Sequence, residues 1–259
     1  MTQTERSLAL KGRLHSIPSS IRLFIFVSLI WAPPALNPAL SFDEADCIRR
    51  VADFEDSRCG DFPTGWFLRR GFSYGRGNGN RAWHVRAEGD NHFLEAVSEG
   101  DAFTVGVECR YRLEELPFLY WRWRIHELPR GGDERHRATQ DSAAGIYVVF
   151  PGFPLPRSIK YVWSSTLPPE TLIASPFNLR AWIIVVRSGT SGLGEWTWEE
   201  RNVWEDYQRA FRKTPPTKNP KAIALLTDSD STNTRARADY DDITISSRAR
   251  LPRVSEKHH

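Results

Sequence analysis

The sequence predicts an all-β protein, an antiparallel β-sandwich with one short helix. Three observations lead there. Ten short segments, many rich in β-branched and aromatic residues, lie at 51–54, 81–87, 92–97, 102–111, 119–128, 145–150, 159–163, 181–187, 221–227 and 240–246, bounded by Gly, Pro, Asn or Asp clusters. Their spacing suits paired antiparallel strands better than the strand–helix alternation of a parallel sheet. Only Val203–Phe211 places apolar residues at helical intervals. At 259 residues, 40% of them hydrophobic, the chain can bury a substantial core and is too apolar to be disordered.

The first element, 1–41, reads as a signal peptide. Arg6, Lys11, Arg13 and Arg22 precede an apolar run over 23–32, and Ala39-Leu40-Ser41 offers small residues for a cut ahead of Phe42. An uncleaved anchor is the alternative. The run falls short of the roughly 18 apolar residues of a membrane span, so no stable span is expected after cleavage. The body, 42–248, reads as one domain, and 249–259 as a flexible basic tail. The net charge of +3 belongs to the leader, leaving a balanced body. Nucleic-acid binding rests on clustered cations, and that partner is excluded. The expected location is periplasmic or secreted.

Of the three cysteines, Cys47 and Cys59 are placed to close a short loop in an oxidising compartment, while Cys109 alternates with Val105 and Val107 as a small core residue. Gly75-Arg76-Gly77-Asn78-Gly79-Asn80 reads as a turn, having no following helix to hold a phosphate.

The clearest strand is 119–126. Leu119, Trp121, Trp123 and Ile125 share its core face; Tyr120, Arg122, Arg124 and His126 share the other. That second face is either an ordinary solvated face or a ligand-binding one. Crowded cations need anions, and the nearest in sequence are Asp133, Glu134 and Asp141. Trp121, Trp123 and Trp182 alternate as core residues, whereas Trp163, Trp196, Trp198 and Trp204 lie near strand ends as candidate platforms for sugar rings. Asn202 is placed to cap the helix, which Pro215 and Pro216 stop.

Asp228, Asp230 and Asn233 offer alternating oxygen ligands of the kind that wrap calcium. The loop lacks the central glycine and the terminal glutamate of a complete calcium loop, so a plain polar turn stands beside that reading. Glu195, Glu199 and Glu200 flank Trp196 and Trp198 and read as solvated charges at a sheet edge. No Gly-x-Ser-x-Gly elbow occurs.

Asp53-Phe54-Glu55-Asp56 with Gly60, Pro63, Gly65 and Trp66, and the closing Tyr240-Asp241-Asp242-Ile243-Thr244-Ile245, resemble the first and last strands of galactose-binding-like jelly-roll domains, carbohydrate-binding modules among them. That resemblance implies a jelly-roll sandwich in which Glu55 and Asp242 share a structural calcium, or in which Asp242 takes an arginine. The body resembles more broadly a bacterial family catalogued as domain of unknown function 3047. The matching features include Trp121-Arg122-Trp123, Gly132-Asp133-Glu134, Asp141, Tyr161-Val162-Trp163-Ser164, Arg201-Asn202-Val203, Asp206-Tyr207 and 227–233. It implies an exported β-sandwich and no established activity.

Together these point to a non-catalytic exported binder of carbohydrate or a similar polyhydroxylated ligand. Candidate ligand contacts are Tyr120, Arg122, Arg124, His126, Asp133, Asp141, Trp163, Arg201 and Asn202. Calcium is the candidate cofactor. The alternatives are an envelope polysaccharide hydrolase or lyase, using the Arg122/Arg124/His126 face with a carboxylate, and a structural envelope protein without a small ligand. Mass spectrometry of protein from its native host is expected to find a mature N-terminus near Phe42; an intact Met1 species in the cytoplasm would refute export.

Overall fold

The computed structural model describes residues 47–68, 81–212 and 218–249. The expected signal peptide, the expected glycine-rich turn 75–80 and helix stop at Pro215-Pro216, and the tail beyond 249 lie outside the described residues. Thirteen strands and one helix follow in order: β1 (Ile48–Ala52), β2 (Phe67–Leu68), β3 (Trp83–Glu88), β4 (Asn91–Glu99), β5 (Ala102–Glu108), β6 (Phe118–Glu127), β7 (Ala144–Phe150), β8 (Arg157–Ser164), β9 (Leu172–Ala174), β10 (Ala181–Ser188), β11 (Thr197–Asn202), α1 (Val203–Phe211), β12 (Ala222–Asp228) and β13 (Arg235–Ser246). The first sheet runs β11-β6-β13-β4-β3, with β1 also on β13; the second runs β2-β5-β12-β7-β8-β10-β9.

The predicted sandwich is what forms. Strict alternation puts one set of side chains from each sheet into a shared core. From the first sheet come Trp121, Trp123, Ile125, Tyr240 and Ile243; from the second come Ile146, Val148, Tyr161, Trp163 and Leu225, all fully buried. Trp121 stacks on Tyr161 with centroids 5.6 Å apart, and Trp123 meets Trp163 edge-on at 6.1 Å. Trp163 is therefore a core wall, 1% exposed, and not the platform its place near a strand end suggested. Trp182, expected in the core, is only half-buried.

One pairing departs from the expected antiparallel pattern. β10 runs parallel to β8, and the connection 165–180 between them carries β9, which pairs antiparallel with β10. Parallel neighbours need a long crossover, and here an irregular loop supplies it. A second irregularity lies in β13, where the register against β6 slips between Asp241 and Thr244 and Asp242 takes φ +51°. Such a bulge sets two successive carboxylates, Asp241 and Asp242, towards the same neighbour, Arg122.

The helix forms as its sequence predicts. The Asn202 side chain accepts a hydrogen bond from the Glu205 amide at 3.2 Å, and Val203, Tyr207 and Ala210 face the core. Cys109 is buried, as expected, while Cys47 and Cys59 are exposed; all three thiols are unpaired.

Tyr240 ties the sheets together. From the first sheet its hydroxyl reaches the second, donating to the Leu226 carbonyl at 2.9 Å and accepting from the Gly145 amide at 3.2 Å, with the Thr227 hydroxyl 2.8 Å away. Removing a buried bridge strands groups already taken out of water. Tyr240→Phe is expected to lower unfolding free energy by about 1–3 kcal/mol in a urea titration, with the slope unchanged.

Candidate functional site

The outer face of the second sheet is not flat. Its outward side chains line a cavity of about 320 Å³. Val149 from β7, and Ala224 and Leu226 from β12, give it an apolar floor, with Tyr147 beside them. Leu155 of the β7–β8 loop and Phe177 and Asn178 of the β9–β10 loop wall it; Asp228, Asp230 and Lys160 close one end. The parallel crossover is thus what supplies one wall.

Lys160 occupies an outward position on β8 yet is 2% exposed. A glycine diagonal to it on β7 makes room: a Cβ at Gly145 would lie 2.7 Å from the Lys160 Cε. Its ammonium donates to the Ser142 hydroxyl at 3.2 Å and lies 3.8 Å from the Asp228 carboxylate. Ser142 and Ser164 in turn donate to the two oxygens of the fully buried Glu134, at 3.1 and 2.6 Å. Burial pulls the ammonium pKa down, but Asp228, Tyr147, Glu134 and Asp141 more than reverse it, holding it above the usual lysine value. Lys160 is therefore a fixed cation beneath the cavity.

Three carboxylates gather beside it. Asp141, Asp228 and Asp230 each bring an oxygen within 4.8 Å of the others. Asp141 accepts from the Ser231 and Thr232 amides at 3.1 and 2.7 Å and from the Thr232 hydroxyl; Asp228 accepts from the Ser142 amide at 2.8 Å. Burial pushes the Asp228 carboxyl up to about 7, opposed by Lys160 and reinforced by Asp141 and Asp230. Burial, with Asp141 beside it, also raises Asp230. A carboxyl held protonated near neutrality beside an ionisable neighbour can donate as well as accept.

Asp141, Asp228 and Asp230 are thus brought together, from two ligand sets that the sequence kept apart. Asn233 is not with them; it sits at φ +51° with its amide oxygen facing Gly100. Glu55 accepts from the His92 amide at 3.0 Å, and Asp242 pairs with Arg122 at 2.8 Å, so an arginine answers the strand carboxylate. Asp133 pairs with exposed Arg135, whose guanidinium holds its carboxyl down to about 2.

The polar face of β6 is internally neutralised. Arg122 meets Asp241 at 2.6 Å; Arg124 meets Asp239 at 2.8 Å and Glu88 at 2.9 Å; His126 Nε2 lies 2.7 Å from Asp239. The answering anions come from β13 and β3, correcting the expectation of Asp133, Glu134 and Asp141: strand pairing outweighs nearness in sequence. Trp196 covers Arg122 and Arg124 at 4.8 and 4.6 Å. The Tyr120 hydroxyl donates to the Arg248 carbonyl at 2.6 Å. Arg201 pairs with Asp206 and Glu170, beside the helix that Asn202 caps. Glu199, expected among solvated charges, is buried, accepting from Trp123 Nε1 at 3.0 Å and from Arg187. Trp198 is 46% exposed, while Trp196 and Trp204 are half-buried.

Lys160, Tyr147, Phe177 and Ser142 are site residues that sequence reasoning missed. The signal for Lys160 was present: a lone cation in the apolar strand 159–163, at an alternation position facing away from Tyr161 and Trp163.

Residues 65–244 match the family described as protein of unknown function (DUF3047). No curated protein matches the sequence. Among solved structures the chain is similar to a family 11 carbohydrate-binding module from Clostridium thermocellum, solved with a beta-1,3-1,4-mixed-linked tetrasaccharide (TM-score 0.39, 9% identity, 76% of this chain and 94% of that one). It is also similar to a carbohydrate-binding module dissected for specific mannan recognition (0.37, 10%, 79% and 99%). A third is Trichoderma harzianum endoglucanase 3 of family GH12 (0.38, 7%, 73% and 95%).

Asp228 makes stability depend on pH. In the folded chain it keeps its proton to about 7. In the unfolded chain an aspartate releases it near its ordinary value of about 3.9. Protonation therefore favours folding, and that contribution is lost as pH rises through 7. An asparagine stays neutral throughout. The stability of Asp228→Asn relative to the parent chain is expected to rise between pH 4 and pH 8 in paired urea titrations; a constant difference would contradict the raised carboxyl.

Proposed function

Since the chain belongs to the DUF3047 family, whose description names no activity, we propose a function from the site itself: a non-catalytic, exported binder of carbohydrate or a similar polyhydroxylated ligand, seated in the cavity of the second sheet. One observation carries this reading, the pairing of an apolar floor and the rings of Tyr147 and Phe177 with carboxylates at one end of the same cavity. A sugar presents C–H faces that pack on rings and hydroxyls that donate to carboxylates. A volume of about 320 Å³ suits a short saccharide. Lys160 is taken up by its partners and serves to fix Asp228 in place.

A hydrolase is the second reading. Asp228, its carboxyl pushed up to about 7, lines the same end of the cavity as Asp230, and an acid beside a carboxylate is the residue pair that glycoside hydrolysis uses. Calcium at Asp141, Asp228 and Asp230 is a further proposal. Lys160 already supplies a positive charge there, so the expected stabilisation by calcium is small; a melting temperature unmoved by calcium and by a chelator would remove the ion.

A polysaccharide panel read by affinity electrophoresis, with calorimetry on any hit and an assay for released reducing ends, tests the main reading. Phe177→Ala and Tyr147→Ala are expected to weaken binding about tenfold each, since aromatic anchors dominate such contacts. Arg124→Ala, on the neutralised face, is expected to leave affinity unchanged. Turnover abolished by Asp230→Asn would favour the hydrolase, and affinity that follows Arg124 but not Phe177 would move the site to the first sheet.

A further inference from the structure

Four large apolar side chains stand out of the second sheet at the cavity mouth. Phe153 and Leu155 lie in the β7–β8 loop, 91% and 46% exposed; Phe177 and Leu179 lie in the β9–β10 loop, 48% and 80% exposed. The two loops form one lip. Arg180 Nη1 donates to the Phe153 carbonyl at 2.9 Å, and Leu155 and Phe177 face the same cavity. Phe153 and Leu179 do not line that cavity.

Within the lip's own loops the charge has one sign, while Asp228 and Asp230 line the cavity behind them. Neither 150–164 nor 171–188 contains an acid. Arg180 lies within the lip, and Arg137 donates to the Pro176 carbonyl at 2.9 Å with its guanidinium 5.0 Å over the Phe177 ring; Arg157 turns away to the Tyr207 hydroxyl of α1. Among the described residues, neither of these two lip arginines has a carboxylate partner, whereas Arg122, Arg124, Arg187, Arg201 and Arg237 are all paired. Nearby Asp133 is taken by Arg135, and Glu134 is buried.

We infer that this lip docks into the interface of an anionic lipid bilayer, with Phe153 and Leu179 entering the acyl boundary and Arg137 and Arg180 meeting the headgroups. Apolar tips ringed by cations match the layering of such an interface, acyl below and negative charge above. A second protein is the poorer fit. A stable protein interface buries about 800 Å² per partner with matched shape, which two convex loop tips do not offer, whereas acyl chains conform to them. The inference stands apart from the proposed ligand, because Phe153 and Leu179 lie outside the cavity.

Flotation of the full chain with vesicles tests it. Binding is expected to be at least about tenfold stronger to phosphatidylcholine vesicles carrying phosphatidylglycerol than to phosphatidylcholine alone, since each interfacial arginine contributes roughly fivefold. Phe153→Asp with Leu179→Asp is expected to reduce binding to the anionic vesicles at least about tenfold, with melting temperature and any glycan affinity unchanged. The leader is common to both proteins. Hydrogen exchange therefore localises the contact: amides of 152–157 and 177–180 are expected to slow on anionic vesicles. Equal flotation of parent and variant, or unchanged exchange in those amides on bound vesicles, would overturn the inference. So would dimerisation in lipid-free solution that the double variant abolishes, which would assign the lip to a second copy.

Discussion

A lysine ammonium buried beneath a β-sheet must be answered on every side, because an isolated ion taken out of water costs several kcal/mol. Lys160 imposes that requirement on the segments packed around it. Ser142, Asp228 and, through Ser142, Glu134 surround it, and Gly145 leaves space for its stem. Asp228 ends β12, Ser142 just precedes β7, and Glu134 sits in the loop leaving β6, so one charge fixes how three chain segments converge. The cavity's polar end inherits its geometry from that convergence. Removing one partner of such a set would leave the others buried without their answering group, a heavy cost in stability.

The opposite face solves a similar problem differently. Arg122, Arg124 and His126 stand in a row, and the strand beside them, β13, supplies Asp239 and Asp241 in register, with Asp242 added by the bulge. Cation meets anion across a ladder, and Trp196 closes over the arginines. Cross-strand pairs of this kind hold a sheet together and leave little for a ligand. One sheet spends its charges on itself; the other keeps carboxylates beside an open space.

Much of the fold was legible because it rests on period-two alternation. Trp121, Trp123 and Ile125 announced a core strand, and Asn202 announced the start of the helix. The parallel β8–β10 pair was not legible, since alternation is the same for either direction and the connecting segment has no helical period. The site was legible only in part. Asp141, Asp228 and Asp230 were each picked out, but nothing local says that a loop after β6 and the end of β12 meet. Trp163 misled for a related reason: its distance along the strand suggested an edge, while its depth was set by Trp123 in the other sheet. Phe177 lies in a loop without periodicity, and its role follows from where the crossover returns.

The crossover has a consequence for how this architecture changes over time. The ladder between β8 and β10 is set by residues 158–164 and 181–188, and 165–180 connects them, anchored by buried Leu167 and by the Glu170–Arg201 pair. Apart from the three pairs of β9, that connection answers to few constraints of register. Lengthening or rewriting it would alter one wall of the cavity while the sheet stayed in place, because flexible loops add closure entropy only logarithmically with length. The same segment is thus a natural seat for divergence, where the cavity wall can be rewritten without the paired strands relearning how to fold.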